Sequence, residues 1–384
     1  MVLVFLTQLS FSALQFFLIF LILKIEGVDA LGNYGLISSI INPFQQFFKL
    51  GVPKLISTSE SIEIRESYFT IGAISSFSFL ILGILISFLF RENKYYYLIN
   101  LIIIYKALAN FREVNHSVYI RQEMYKKFFS SGFIFNVLVM LSFFIVYKLS
   151  NSLESAFSSL VLILIISNIL DFRFNFSNYK IASPPLRFIN TCVKLSVSDA
   201  VFSMKSNMPK YLLAKYFDIF YTGVYTAIFQ AVSVIEIVNQ SVLKYNYSKL
   251  TSKFHVSRLE FFKQIKKIYK QIFVLIVLAL IINIVIGKQL IDIFLDPVLV
   301  EFHWLLLLLI VSRFFTMLNS IPKTIFILME KINLTTKITF ILSLVTFMIL
   351  SNVESFLFFV IILTVSECVL FVSNTITIKY CYNK

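Results

Sequence analysis

An otherwise apolar part of the chain contains a polar run at residues 196–211, SVSDAVFSMKSNMPKY. Four of its side chains follow the spacing i, i+4, i+7 and i+11 and therefore share one face of a helix: Asp199, Ser203, Ser206 and Lys210. Lys205 lies about 120° around the helix from Asp199. Ionisable groups are costly in hydrocarbon, so those that persist usually face water, a partner or a substrate. The run therefore predicts a helix that lines a polar site.

Polar stripes also occur in three other apolar segments of the chain. They consist of Gln8, Ser12 and Gln15; of Ser38, Asn42, Gln45 and Lys49; and of Gln230, Ser233 and Glu236. The stripes fall mainly on the predicted first two helices of each half of the chain, so we expect them, together with Asn207, to line one hydrated cavity. Hydrogen bonds that hold neighbouring helices together are the alternative explanation.

Arg313 and Glu367 each lie near the middle of an apolar segment. A structural ion pair between them is one interpretation. In the other, Arg313 joins nearby lysines to form a cationic set suited to phosphate or pyrophosphate, which accept charge-assisted hydrogen bonds. This cationic set is Lys205, Lys210, Arg313 and Lys49. The carboxylates that would moderate its charge, or bind a coupling proton or sodium ion, are Asp199, Glu236 and Glu367.

Motifs of covalent chemistry do not occur in the sequence. It contains no P-loop, GxSxG, HExxH, CxxC or dinucleotide fingerprint, and its three histidines lie far apart. The three cysteines are widely spaced and odd in number, which gives no disulfide framework. We therefore expect a protein that is not an enzyme and that needs no cofactor and no metal.

Composition identifies the surroundings of these residues. Of the 384 residues, 58% are hydrophobic and only 14% are charged, and the mean hydropathy is +0.86. One water-soluble core cannot bury that much apolar surface, so the solvent must be lipid. The net charge of +14 comes from Lys and Arg in short clusters between apolar spans, and not from a basic surface with interleaved aromatics. We expect contacts with membrane lipids and none with nucleic acid.

Apolar segments of about twenty residues predict an all-α polytopic membrane protein of about 12 transmembrane helices. The first six are near 2–23, 32–52, 67–90, 95–111, 131–148 and 156–172. The other six are near 196–215, 221–243, 268–287, 303–321, 334–351 and 354–378. Lys and Arg concentrate in alternate loops, chiefly 111–130, 173–195 and 244–267, which the positive-inside rule assigns to the cytoplasm. Both termini are then cytoplasmic.

A short motif recurs in the two halves of the chain. Gly32-Asn33-Tyr34 opens the predicted second helix, and Gly223-Val224-Tyr225 opens the predicted eighth, almost half the chain length later. Because six is an even number, both six-helix halves enter the membrane in the same direction. We therefore predict two pseudo-symmetric six-helix bundles, at 1–190 and 191–384, around a central cavity.

Two segments carry a family resemblance. The first is Leu31-Gly32-Asn33-Tyr34-Gly35, followed by Pro43 and by Phe48-Lys49-Leu50-Gly51-Val52. The second is Asn207-Met208-Pro209-Lys210, followed by Tyr221-Thr222-Gly223-Val224-Tyr225. These segments resemble the O-antigen and capsular repeat-unit (Wzx-type) flippases of the multidrug, oligosaccharidyl-lipid and polysaccharide exporter superfamily.

This resemblance implies a cavity bordered by helices one, two, seven and eight. The implied substrate is an undecaprenyl-pyrophosphate-linked oligosaccharide, which alternating access moves from the inner to the outer leaflet of the bacterial cytoplasmic membrane. The cationic residues would bind the pyrophosphate, and Gln, Asn, Ser and Tyr side chains would bind the sugars. A polysaccharide polymerase and chain-length machinery are the expected protein partners. The chain departs from the family pattern in having few intramembrane arginines, so Lys205, Lys210 and Arg313 are candidates only.

Three other functions stay open. A cation-coupled multidrug antiporter of the same superfamily would need an essential buried carboxylate, a role that Asp199 or Glu236 could fill. A peptidoglycan-precursor flippase usually has two further helices. A membrane polymerase or ligase would need a large outer loop that holds Arg and His, and all the predicted outer loops are short.

Overall fold

The computed structural model is helical almost throughout, and the residues that it describes form no β-strand. It describes residues 2–58, 62–92, 96–122, 124–175, 186–329 and 331–383. The central part of the predicted loop 173–195 lies outside the described residues. The predicted all-α fold class is confirmed.

Thirteen α-helices follow one another along the described chain. They are α1 (Val2–Phe48), α2 (Val52–Thr58), α3 (Ile62–Ser87), α4 (Tyr96–Arg121), α5 (Tyr125–Phe129), α6 (Phe135–Ser150), α7 (Leu153–Asn175), α8 (Leu186–Tyr216), α9 (Ile219–Val256), α10 (Arg258–Phe294), α11 (His303–Leu328), α12 (Ile332–Leu350) and α13 (Phe356–Asn383). Short 3-10 turns lie at Phe88–Phe90 and Pro297–Phe302, and a π-helical turn at Ser130–Ile134 joins α5 to α6.

Nine segments of the described chain are long and apolar enough to cross a membrane, so the chain is a multi-pass membrane protein. The first of them, Leu9–Phe48, has 40 residues, about twice the length of one crossing. Helices α4 and α8 are also long enough but carry charged side chains within their length. Each of the twelve predicted spans overlaps a helix of the structure.

The first two predicted spans belong to one bent helix. We expected a loop between residues 23 and 32, but α1 continues through this region and departs from helical geometry only at Gly27, where φ is 85°. A positive φ is readily adopted by glycine because it has no Cβ. The range of α1 therefore contains two helical segments that meet at a kink at Gly27.

Helices α9 and α10 are longer than their predicted spans. The predicted cytoplasmic loop 244–267 is helical on both sides of Ser257, which has an extended backbone and accepts a hydrogen bond from the Glu260 amide. Hydropathy detects only the apolar part of a helix, whereas Lys, Gln and Glu also have good helix propensity. The charged ends of a membrane helix can therefore continue past the apolar span.

The described chain divides into two compact units. The first comprises 1–18 and 40–203, and the second comprises 19–39 and 204–384. This grouping differs from the predicted bundles at 1–190 and 191–384, because the middle of α1 groups with the carboxyl-terminal helices and the start of α8 groups with the amino-terminal ones. The pseudo-symmetry of the two halves stays a prediction.

Within the second unit, the middle of α1 crosses the start of α9 at very close range. A Cβ atom added to Gly32 would overlap the carbonyl oxygen of Ile219, and one added to Gly223 would overlap the carbonyl oxygen of Val28. Gly35 lies similarly close to α9 about one turn further along. The two copies of the Gly-x-Tyr motif are therefore the two sides of one helix crossing, which needs residues without side chains.

Candidate functional site

The second unit brings three of the predicted cations to one region, two of them over a single aromatic ring and the third in the lining of the adjacent cavity. Helix α8 provides Lys205 and Lys210, α11 provides Arg313, and α9 provides the ring of Phe229. The guanidinium carbon of Arg313 lies 3.9 Å from the ring centroid, and the Lys210 Nζ lies 5.4 Å from it. All three cations are buried, with exposed fractions between 6% and 8%. The face of the ring attracts both Arg313 and Lys210 electrostatically.

Two carboxylates neutralise part of this charge. The Glu367 Oε1 on α13 lies 2.6 Å from the Lys205 Nζ, and the Glu236 Oε2 on α9 lies 2.9 Å from the Arg313 Nη1. Of the two interpretations of Arg313 and Glu367, the ion pair between them is therefore wrong, because each residue has another partner. Periodicity shows which face of a helix is polar, but it does not show which helices are neighbours.

Because of Lys210, the site carries an excess of positive charge. Among the described residues, no carboxylate lies within ion-pair distance of its ammonium group. The buried Nε of Arg313 also has no hydrogen-bond partner within the described part of the chain. Buried polar groups are normally paired. One cation and one donor are therefore available for an anionic ligand.

A small cavity of about 50 Å³ lies beside Arg313 and Lys205, and among the described residues its lining does not include Lys210 or Glu236. Its lining includes Lys205, Tyr225, Phe229, Arg313 and Glu367. One water molecule needs about 10–15 Å³ of such space, so the cavity can hold a few waters or one small polar group. It is too small for a sugar ring together with its hydroxyl groups. The cavity can therefore recognise charge, but it cannot enclose an oligosaccharide.

Exchanging the charges of Lys205 and Glu367 tests whether their contact stabilises the second unit. Breaking a buried pair by removing one partner costs about 3–5 kcal/mol, because the other charge is left uncompensated. We expect Lys205→Glu and Glu367→Lys each to lower the thermal unfolding midpoint of the purified protein, and the double variant to recover part of the loss. The matched control is the exposed pair Lys263 and Glu260, whose exchange should change little. A double variant as unstable as the sum of the two singles would contradict the pairing.

The polar stripe of the second predicted helix contacts other polar groups of the first unit. The Lys106 Nζ donates to the Asn42 Oδ1 at 2.6 Å and to the Gln45 Oε1 at 3.1 Å. Gln45 in turn donates to the Asn110 Oδ1 at 2.9 Å. These contacts fit the alternative explanation, in which the polar side chains hold helices together.

Lys49, the fourth predicted cation, forms its own ion pair in the first unit. Its Nζ lies 2.6 Å from the Glu113 Oε2 on α4. Neither Glu113 nor Lys106 was predicted to belong to a polar stripe, because Glu113 falls in the predicted loop 111–130 and Lys106 was counted with the cations of the cytoplasmic side. Lys106, Asn110 and Glu113 follow the spacing i, i+4 and i+7, so the same search for stripes, applied to this helix, would have found them.

Helix α4 carries a second buried polar cluster that the sequence analysis also missed. The His116 Nε2 and the Ser131 Oγ are 2.7 Å apart, and the Tyr119 hydroxyl donates to the Asp171 Oδ1 at 3.2 Å. Arg112 is only 2% exposed, and its guanidinium lies near the rings of two phenylalanines. The His116–Ser131 and Tyr119–Asp171 contacts hold α4 against its neighbours, whereas two buried nitrogens of the Arg112 guanidinium have no hydrogen-bond partner among the described residues.

The other predicted site residues occupy a range of environments. Ser203 and Asn207 are buried on α8, Asp199 and Gln230 are half-buried, and Gln15 is exposed. The side chain of Gln8 lies outside the described residues. A common cavity that collects all these stripes, with helices one, two, seven and eight around it, stays a prediction.

Solved structures of known transporters share this fold. An inward-facing multidrug resistance MATE family transporter of the MOP superfamily is 14% identical, has a TM-score of 0.67 and matches 98% of this chain and 96% of its own. The outward-facing conformation of such a transporter is 11% identical, has a TM-score of 0.74 and matches 100% of this chain and 96% of its own. A third structure is a MOP superfamily transporter from Pyrococcus furiosus, described as having a binding pocket of reverse polarity. It is 10% identical, has a TM-score of 0.63 and matches 98% of this chain and 95% of its own.

One curated protein also resembles the chain over most of its length. It is the capsular polysaccharide biosynthesis protein CapF of Staphylococcus aureus, which is 24% identical over 344 residues, or 86% of each chain. No protein-family model matches the chain. The fold is thus that of the MATE transporters, at identities too low to transfer their substrates.

Proposed function

We propose that this chain is a membrane transporter that moves an undecaprenyl-pyrophosphate-linked oligosaccharide from the inner to the outer leaflet of the bacterial cytoplasmic membrane. The observation that carries the proposal is the environment of Lys210, a buried cation with no carboxylate within ion-pair distance among the described residues. A fixed positive excess of this kind suits an anionic headgroup. The fold supports transport, and the similarity to a capsular polysaccharide biosynthesis protein supports a glycan-linked ligand.

In this proposal the cations of the site bind the headgroup, and the carboxylates position the cations. The Nε of Arg313 would donate a hydrogen bond to a phosphate oxygen that replaces water in the cavity, and Lys210, which lies over the same Phe229 ring, would attract the same anion. Glu236 and Glu367 hold Arg313 and Lys205 in place and reduce the net charge. This reduction matters for a transporter, because a headgroup that is bound too tightly cannot be released. The sugars would remain outside the cavity.

A coupling ion would act through the same pairs. If Glu367 or Glu236 binds a proton, its cationic partner loses a counter-ion and attracts the pyrophosphate more strongly. A proton gradient would then alternate the site between strong and weak binding, as alternating access requires. Sodium in place of a proton, and Asp199 in place of these glutamates, are the other versions of this proposal. A cytoplasmic position of both termini, and contact with a polymerase or chain-length machinery, also remain proposals.

A cation-coupled multidrug antiporter is the second proposed function. The similarity to structures of multidrug transporters favours it, as do Glu367 in the cavity lining and Glu236, the partner of Arg313, which would bind a cationic drug or an ion once free of their partners. This function differs from the first proposal in the sign of the charge on the ligand, which is positive here and negative there. An antiporter of cations would use Glu236 and Glu367 as its ligands, whereas a flippase would use Lys210 and Arg313.

Deleting the gene in its native host distinguishes the two proposals. For a flippase, we expect lipid-linked repeat units to accumulate on the cytoplasmic side and surface polysaccharide to disappear, with the wild-type gene restoring both. Extracted lipids analysed by mass spectrometry and surface glycan measured with a lectin provide the readouts. Unchanged glycan with increased sensitivity to cationic drugs would instead support the antiporter.

A further inference from the structure

The first turns of α10 present an exposed stripe that the site around Phe229 does not use. Leu259, Lys263, Lys266 and Lys270 follow the spacing i, i+4, i+7 and i+11 along one face. Leu259 is 63% exposed and the side chain of Lys263 is 68% exposed. Phe262, at 43% exposure, lies beside this stripe, and Lys267 lies on its other side. We call these six residues the α10 stripe.

The opposite face fixes the orientation of the stripe. Phe261, Ile265 and Ile268 are buried, with exposed fractions of 0%, 7% and 0%. Gln264, also buried, donates to the Asn246 Oδ1 on α9 at 2.8 Å. Rotating α10 about its axis would break this hydrogen bond and expose three large apolar side chains. The lysines therefore point outward because of packing and not by chance.

The position of the stripe along α10 matches the depth of lipid headgroups. Residues 271–287, between Lys270 and Lys288, carry no charged side chain and span about 25 Å at 1.5 Å per residue. The hydrocarbon layer is about 30 Å thick, so this segment accounts for most of it. Residues 263–270 cover about the next 10 Å, where the phosphates of one leaflet lie.

Little negative charge within the protein competes for these lysines. Glu260 is shared between Lys253 at 3.2 Å and Lys263 at 3.5 Å. In the part of the chain that the structure describes, no carboxylate lies within ion-pair distance of Lys266, Lys267 or Lys270. A shallow groove also joins Leu259 and Phe262 to Lys263 and Lys266. Ammonium groups at the depth of the headgroups are complementary to the phosphates of anionic lipids.

We propose that the α10 stripe binds anionic phospholipids of the leaflet that it adjoins. Lysine ammonium groups contact the lipid phosphates, whereas Leu259 and Phe262 line the end of the groove that lies farther from the hydrocarbon layer. This binding does not depend on what the chain transports. Its expected result is a preference for phosphatidylglycerol over the zwitterionic phosphatidylcholine. Simple retention of positive charge in the cytoplasm would place lysines there but would produce no selective lipid binding.

Native mass spectrometry of the full-length protein, with each lipid titrated at matched acyl chains, measures this preference. Replacing all four lysines of the stripe by glutamine should weaken phosphatidylglycerol binding by roughly fivefold per lysine, since one such contact is worth about 1 kcal/mol. Phosphatidylcholine binding should stay unchanged.

Lys288→Gln, an exposed lysine at the other end of α10, is the matched control and should leave the lipid preference intact. The smaller variant Lys263→Gln with Lys266→Gln covers the case in which the fourfold variant inserts poorly, and it should still lower the preference. An undiminished preference for phosphatidylglycerol in a correctly inserted fourfold or double lysine variant would overturn the proposal. Equal wild-type affinity for the two lipids would overturn it as well, whether or not the chain proves to be a flippase.

Discussion

Lys210→Met should lower transport of the lipid-linked oligosaccharide roughly 10- to 100-fold, the range expected when a charge-assisted hydrogen bond of about 1.5–3 kcal/mol is lost. The reason is that Lys210 is the cation of the site that no described carboxylate neutralises. Methionine keeps a long apolar stem beside Phe229, so packing changes little. The measurement is the rate at which reconstituted protein exposes a labelled substrate to an enzyme outside the vesicle.

Two further variants separate loss of charge from loss of structure. Lys210→Arg keeps the charge and should retain part of the transport. Lys215→Met removes an exposed lysine from the same helix, one that lies over the ring of Tyr216, and should transport at the wild-type rate. Wild-type transport by Lys210→Met, in protein that is correctly inserted, would exclude Lys210 from the binding site.

Gly32→Val and Gly223→Val should each destabilise the protein by about 1–3 kcal/mol, the usual cost of overpacking a tight contact. Each new Cβ would overlap a backbone carbonyl oxygen of the facing helix, and a backbone atom cannot move aside as a side chain can. The middle of α1 and the start of α9 must then separate. Thermal unfolding of the purified protein, followed by its helical circular dichroism, measures the loss.

The double variant tests whether the two glycines serve one contact. Once either valine has separated the helices, the second should add little, so the double variant should be more stable than the sum of the single losses predicts. Gly72→Val on α3 is a useful comparison, because its nearest neighbour is the movable side chain of Val114, and we expect a smaller loss. Strictly additive losses would mean that the two glycines lie in independent contacts.

The helical architecture was predictable because the hydrocarbon layer imposes a minimum apolar length on each crossing. Residues 271–287 illustrate this, since they contain no charge and end at a lysine on each side. The ends of the same helix were not predictable from hydropathy. Helix α10 begins at Arg258, ten residues before the predicted span, because charged residues that follow an apolar segment can keep its helical hydrogen bonds in water.

The candidate site was predictable in its members but not in its contacts. The cost of burying charge identified Lys205, Lys210 and Arg313, which the structure brings together beside Phe229. The partner of each charge depends on which helices pack together, and one sequence does not show this. Glu236 and Glu367 were both predicted as possible ion ligands, which stays a prediction, and the partner of Arg313 is Glu236 and not Glu367, which pairs with Lys205.

The first unit shows a different limit of the sequence analysis. Lys106 is close to the end of an apolar span, where a lysine usually extends its side chain into water. The structure instead turns its ammonium group to Asn42 and Gln45, because α4 continues to Arg121 and keeps this face in contact with other helices. Because the predicted fourth helix ended at residue 111 and not at Arg121, the contacts of Lys106 with other helices were not predicted.

The 50 Å³ cavity beside Phe229 has a consequence for the evolution of surface glycans. Under the proposed function, the cavity binds the phosphate that every lipid-linked repeat unit shares. It does not select between repeat units by the identity of their monosaccharides. Bacteria could then diversify their sugar coats, as immune pressure and phage favour, without changing this part of the transporter. Discrimination between repeat units would depend on residues elsewhere, which are free to vary while the charged centre stays the same.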